Sequence, residues 1–336
     1  MRISEIGGET GLIERLRATY AGAAGSGLAL AIGDDAAVLD VAAGLQVVVT
    51  TDLLVEGVHF RRDWSDAYSI GWKVAAVNLS DLAAMGADPT FAFVSLALPP
   101  EETVEGVERL YDGLCDCLSR YGAKLAGGDT NRTFGGLTVN ITQLGTVPFG
   151  QALKRTGAKV GDTLLVTGTL GDSAAGLALL EQHGAAKAEK LCRALVQSHR
   201  RPQPRVVAGL ALRETGLVHC CMDMSDGLAA DLPKLCAASG VGAQVDVTRL
   251  PVSEDLSLMA ADLGRASWEL ALSGGEDYEL LIAVAPADVE AVNAAVAATG
   301  TTLTPIGEIT RIGLRFIGLD GADLPAATGG WDHFTS

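Results

Sequence analysis

Gln46-Val47-Val48-Val49-Thr50-Thr51-Asp52 decides the fold class, because a β-branched run passes directly into two hydroxyls and a carboxylate. Three consecutive valines favour a buried, pleated strand over a helix. The expected strand covers 46–50, with Thr51-Asp52 in a ligand-facing loop at its end. Downstream, a helical pattern runs over 69–87, with Val74, Val77 and Leu82 among many alanines and with Asn78 and Asp81 one turn apart on a common face. A carboxylate placed among Leu79, Leu82 and alanines is costly to bury unless a cation or donors neutralise it. The competing reading is a surface-facing helix residue.

Further outward, 91–98 reads as a second buried strand stopped by Pro99-Pro100. Val104, Val107, Leu110, Leu114, Leu118 and Tyr121 recur at helical spacing up to Gly122. Leu137, Val139 and Ile141 alternate with polar residues, which predicts a strand after a turn at Gly128-Asp129. Beyond a locally basic linker at 150–161 come a strand at 163–167 and Gly168-Thr169-Leu170-Gly171-Asp172-Ser173 ahead of a helix at 174–180. A helix starting at Asp226 or Gly227 carries Leu228, Leu232 and Leu235 on one face, and Ser273-Gly274-Gly275-Glu276-Asp277 leads into an apolar strand at 278–284. This is an α/β (α+β) chain. Its 336 residues exceed the usual reach of one core, so two domains are expected, at 1–148 and 149–336.

Apolar content of 48% with 20% charged residues suits a well-buried globular protein. A formal net charge of -16 argues against nucleic acid or an anionic membrane as partner, while a small polyanion bridged by metal remains allowed. No stretch is apolar for long enough to span a bilayer, and the first residues lack a signal pattern, so a cytoplasmic location is expected. Six cysteines include no C-x-x-C pair and read as buried reduced thiols.

Aspartate recurs beside Gly, Ser, Thr or Asn in Ile32-Gly33-Asp34-Asp35, Thr50-Thr51-Asp52, Asn78-Leu79-Ser80-Asp81, Gly127-Gly128-Asp129-Thr130 and Asp223-Met224-Ser225-Asp226-Gly227. Any one of these is ordinary turn chemistry. Their repetition points to convergence on metal and phosphate, since Mg²⁺ binds through a few carboxylates plus substrate phosphate oxygens. The 168–173 segment reads either as a phosphate site at a helix N-terminus or as a plain strand-turn-helix connection capped by Asp172 or Ser173. No Walker ending, G-x-G-x-x-G, HRD, DFG or G-x-S-x-G pattern is present. His183 and His199 read as helix-surface residues. His59 reads either as a site residue or as a half-buried structural imidazole.

On these motifs, together with Glu56-Gly57-Val58-His59-Phe60, Asn78-Leu79-Ser80-Asp81-Leu82-Ala83-Ala84-Met85-Gly86-Ala87 and the tail Gly330-Trp331-Asp332-His333-Phe334, the chain resembles the thiamine-monophosphate kinase family of the AIR-synthetase-like (PurM-like) superfamily. The resemblance implies ATP-dependent phosphorylation of thiamine monophosphate to thiamine diphosphate by direct in-line transfer. It implies a two-domain PurM-like fold whose N-terminal strands form a barrel across a homodimer. Several Mg²⁺ ions would be held by Asp35, Thr50, Thr51, Asp52, Asp81, Asp129, Asp223 and Asp226. Tyr111, Gly128, Arg155 and Ser225 would contact the nucleotide, and His59, Glu276 and Trp331 the substrate, with the Trp331 face available to a cationic thiazolium. Asp34, Asp172 and Asp277 are expected in turn, cap or supporting roles.

Competing readings are a selenophosphate synthetase, a hydrogenase-maturation dehydratase, a non-catalytic nucleotide- or metal-binding module and a metal-dependent phosphatase. The first would carry a reactive cysteine near its start, yet no cysteine precedes Cys115. The second would end in a cysteine-containing tail, which this sequence lacks. The phosphatase reading lacks D-x-D spacing at Asp223-Met224-Ser225-Asp226.

Overall fold

The valine run continues through both threonines and Asp52: the strand spans Leu45–Val55. Thr51-Asp52 is therefore mid-strand rather than in a loop, because β-branched threonine extends a pleated segment as readily as valine does. The computed structural model describes residues 1, 3–6, 8–20, 27–30 and 38–324. Contacts divide the chain into two units, one gathering Met1–Leu82 with Asp88–Gly150, the other holding Ala83–Ala87 and the chain from Gln151 onward.

In chain order the first unit contains α1 (Gly8–Tyr20), the short strands β1 (Leu28–Leu30) and β2 (Val38–Leu39), β3 (Leu45–Val55), α2 (Ala67–Ala84), β4 (Asp88–Leu98), α3 (Val104–Arg120), β5 (Lys124–Arg132) and β6 (Thr138–Pro148). Four strands form one sheet in the order β3-β6-β4-β5, antiparallel except for the parallel β4/β5 pair. Gly127-Gly128-Asp129-Thr130 lies within β5, not at a turn before the next strand. Helix α2 is buried around its whole circumference over residues 69–80, as an alanine-rich helix without a polar stripe must be. It crosses α3 closely through two glycines. A Cβ on Gly71 would fall 1.9 Å from the Leu110 carbonyl oxygen, and one on Gly113 would fall 1.9 Å from that of Tyr68.

The second unit contains β7 (Thr163–Thr167), α4 (Asp172–His183), α5 (Ala185–Leu191), α6 (Arg193–Arg200), α7 (Val206–Thr215), β8 (Val218–Met224), α8 (Leu228–Ser239), β9 (Gly242–Asp246), α9 (Glu254–Met259), α10 (Ser267–Ser273), β10 (Glu279–Val284), α11 (Val289–Ala297), β11 (Leu303–Thr310) and β12 (Leu314–Ile317). Its six strands are ordered β12-β9-β11-β7-β10-β8, with only β12/β9 parallel. The predicted face of α8 is the buried one: Leu228, Leu232 and Leu235 join Leu164, Val166, Leu281 and Ile309 in the core. Among the six cysteines, all free, Cys117, Cys220, Cys221 and Cys236 are buried.

Candidate metal and phosphate site

In the first unit the strand period sorts the acidic segment by face. Thr50 donates its hydroxyl to Asp81 Oδ2 on α2. Asp52 shares that face, and burial together with the nearby Asp81 charge pushes its carboxyl up to about 6. Thr51 projects the other way, within 3.2 Å of the Thr142 hydroxyl and accepting from Asn140 Nδ2 at 3.0 Å. Asp129 belongs to the row Leu53–Asn140–Ser95–Asp129, which has the parity of Thr51 rather than of Asp52. Three strand spacings, about 14 Å at the usual separation, lie between β3 and β5.

Beneath Thr50 and Asp81 sit polar atoms with nothing to bond. Gln143, directly opposite Thr50 in the β3/β6 ladder, is fully buried with both amide atoms unpartnered. Asn78 is likewise fully buried; its Nδ2 donates to the Val74 carbonyl at 3.2 Å, while its Oδ1 has no partner. Buried orphan amides are costly and rare. Two mutually repelling carboxylates, a hydroxyl and orphaned amides are hard-oxygen chemistry that suits a hydrated Mg²⁺. Among the described residues no three His, Cys, Asp or Glu side chains converge on one point. Gln143 escaped the sequence reading because its strand alternation resembled that of its apolar neighbours.

His59 follows a tight turn in which Gly57 N–H donates to the Phe60 carbonyl at 2.8 Å and Glu56 accepts from Leu137 N–H at 2.8 Å. Its Nδ1 accepts from Val55 N–H at 3.0 Å, and buried Lys73 donates to its carbonyl at 3.2 Å. The half-buried structural reading is thus realised at Nδ1, which puts the proton of the neutral ring on Nε2. Tyr111 is only 4% exposed, its ring 5.4 Å from that of Tyr20. Asp34, Asp35 and Trp331 lie outside the described residues.

In the second unit, Asp223, Ser225, Asp226 and Glu276 gather where the end of β8 meets the start of β10. Glu279 and Leu280 pair with Met224 and Asp223 in the ladder, Glu276 N–H donates to Ser225 O at 2.7 Å, and Tyr278 N–H to Met224 O at 3.1 Å. Asp226 N–H donates to Asp231 Oδ2 at 2.9 Å, and Lys234 Nζ lies 2.5 Å from Asp226 Oδ2 and 2.7 Å from Asp231 Oδ1. Asp231 and Lys234 were not anticipated, although their i,i+3 spacing on α8 was visible. Arg155 is exposed, and its carbonyl accepts from Ser239 Oγ and Cys220 Sγ, each at 3.2 Å.

Glu276 and Tyr278 both have positive φ, 65° and 54°, which is strained for side-chain-bearing residues. Asp277 between them accepts from Gly171 N–H at 2.6 Å and Ser173 N–H at 3.0 Å. Burial pushes this carboxyl up to about 8 despite the two amide donors. Of the two readings of 168–173 the plain connection fits, since Asp277 already accepts from the Gly171 and Ser173 amides, but the N-cap is Gly171 rather than Asp172 or Ser173. Asp172 instead accepts from Thr169 and Ser253 hydroxyls at 2.8 and 2.6 Å.

His199 is not a surface residue. It is 5% exposed, with Nδ1 3.2 Å from both Glu276 Oε2 and Ser173 Oγ. The apolar face of α6, with Leu195 and Val196 buried, carries it inward. A polar cleft of about 280 Å³ nearby is lined by Asp277, Glu279, Arg201 and Arg205, not by Asp223 or Asp226.

Comparison with known proteins accords with this geometry. Residues 33–147 match the AIR synthase related protein N-terminal domain, and residues 159–316 its C-terminal domain. The chain is similar to thiamine-monophosphate kinase of Salmonella typhimurium, 42% identical over 91% of this chain and 92% of that one. It is also similar to the crystal structure of thiamine-monophosphate kinase from Stenotrophomonas maltophilia K279a, with a TM-score of 0.80 and 40% identity over 93% of this chain and 96% of the other. A third similar structure is AaThiL complexed with AMPPCP and TMP, with a TM-score of 0.77 and 33% identity over 99% of each chain. Its two-unit α/β architecture and its sequence place this chain in the thiamine-monophosphate kinase family.

Proposed function

We propose that this chain transfers the γ-phosphate of ATP to thiamine monophosphate, yielding thiamine diphosphate and ADP. One observation carries the reading: near-full-length relatedness to thiamine-monophosphate kinases, including a relative solved with AMPPCP and TMP. In the reaction a phosphate oxygen of thiamine monophosphate bonds to the γ-phosphorus as the bond to the β,γ-bridging oxygen breaks and its electrons leave with ADP. Such transfer needs placement and charge balance rather than a protein nucleophile.

Asp52 and Asp81, with Thr50, Thr51, Asp35, Asp129, Asp223 and Asp226, are the proposed holders of Mg²⁺. Several such ions are proposed, and when bound they would screen the phosphate charge. The mutual charge of Asp52 and Asp81, and the orphaned amides below them, support this. Thr51, whose hydroxyl faces away from Asp81, would serve through its backbone oxygen. Tyr111, Gly128, Arg155 and Ser225 are assigned to the nucleotide, and His59, Glu276 and Trp331 to thiamine monophosphate.

A homodimer belongs to the same proposal, as does a cytoplasmic setting. Among the described residues β3 pairs only with β6, and Leu45, Val47, Val49 and Leu53 stand 37–60% exposed along one face. An apolar edge strand of this kind invites pairing with a second copy. Val49→Lys should therefore give a monomer in sedimentation; an unchanged mass would refute pairing through this strand. The activity is tested by incubating the protein with ATP, Mg²⁺ and thiamine monophosphate. Thiamine diphosphate should form, and its absence would sink the reading.

A further inference from the structure

We infer that Lys234 is a built-in occupant of the Asp226 carboxylate, a cation that a divalent ion must displace before Asp226 can act as a ligand. The inference rests on the proposed role of Asp226. Lys234 Nζ lies 2.5 Å from Asp226 Oδ2 and 2.7 Å from Asp231 Oδ1, bridging the two carboxylates from one turn along α8. These partners are unequal. Asp231 is 1% exposed and also accepts from Asp226 N–H, so it is fixed. Asp226 and Lys234 are 30% and 43% exposed.

Asp231 therefore holds the Asp226 backbone in place while leaving that residue's carboxylate exchangeable. Lys234 keeps Asp231 as a partner when Asp226 turns to a metal, so the exchange leaves no buried charge stranded. Metal-free, the one ammonium offsets part of the charge of the two carboxylates; metal-bound, one ammonium contact is replaced by a coordination bond. Asp231 and Lys234 are thus positioning residues for Asp226, not ligands.

An internal competitor lowers apparent affinity by the fraction of time it occupies the site, so a pair closed nine-tenths of the time weakens cation binding about tenfold. The experiment titrates the full chain with Mn²⁺ alone, without substrates, and reads free Mn²⁺ by electron paramagnetic resonance. Lys234→Met, and Lys234→Gln as a second variant should Met perturb folding, should bind one Mn²⁺ about tenfold more tightly than the parent. Lys234→Arg should match the parent, and Asp226→Asn should weaken that site whether or not Lys234 is replaced. Unchanged or weaker binding in both neutral Lys234 variants, with Asp226→Asn still impaired, overturns the occupant role and leaves Asp226 a ligand. Parent-like binding in Asp226→Asn overturns the ligand role itself, and the inference with it.

Discussion

The two units treat buried acid differently. In the second, Glu279 is answered by Arg205 and Thr167 and Asp231 by Lys234, while Asp277 has two backbone amides and is still pushed up to about 8 by burial. In the first, Glu102 is likewise answered by Arg62, whereas Asp52 faces Asp81 across a strand-helix contact, and burial together with that charge pushes its carboxyl up to about 6. Acids paired with a cation hold a fold together; two carboxylates set facing each other, as Asp52 and Asp81 are, suit a cation from outside.

The contrast breaks most sharply at Arg205. Removing its guanidinium in Arg205→Ala strands the buried Glu279 charge and should cost about 3–5 kcal/mol in denaturant unfolding. A loss below 1 kcal/mol would mean that Glu279 is not compensated as described.

In the first unit the opposite behaviour is expected. Asp81→Asn relieves repulsion, so stability should hold or rise, while turnover falls by about a hundredfold or more as phosphate charge goes unbalanced. Retained turnover would refute the role of Asp81.

Between these lies a pH effect. The folded-state value of Asp52, about 6, lies above its ordinary 3.8. Between the two the folded chain keeps a proton that the unfolded chain has released, so stability falls as pH rises from about 4 to about 6. After solvent screening the drop attributable to Asp52 should be about 1–2 kcal/mol, absent in Asp52→Asn and offset by Mg²⁺. A parent slope matched by Asp52→Asn would remove Asp52 from the account.

The smallest effect is expected at His199. Losing its contact to Glu276 in His199→Ala should cost about 1 kcal/mol of stability. It should raise KM for thiamine monophosphate several-fold with kcat nearly unchanged; an unaltered KM would separate Glu276 from the substrate.

What the sequence revealed follows from where each signal lives. Apolar periodicity disclosed α3 and α8, and β-branched density disclosed β3, because one-dimensional spacing encodes which face is buried. The strand boundaries escaped: Thr51-Asp52 and Gly128-Asp129 resemble turns by composition, yet the ladder with β6 or β4 keeps them extended. Asp81 was legible as a carboxylate on an apolar helix. Its neighbour Gln143 and the inward turn of His199 were not, since the first depends on a contact between residues far apart in sequence and the second on the rotation of a short helix; the clasp of Lys234 is local, with its i,i+3 spacing to Asp231 written in the sequence.

The carboxylate of Asp277 has a consequence for chemistry brought in from outside. By seating its own carboxyl oxygens on the Gly171 and Ser173 amides, the chain withholds those donors from phosphate and sulfonate ligands. An inhibitor built around such a group would find the doorway shut.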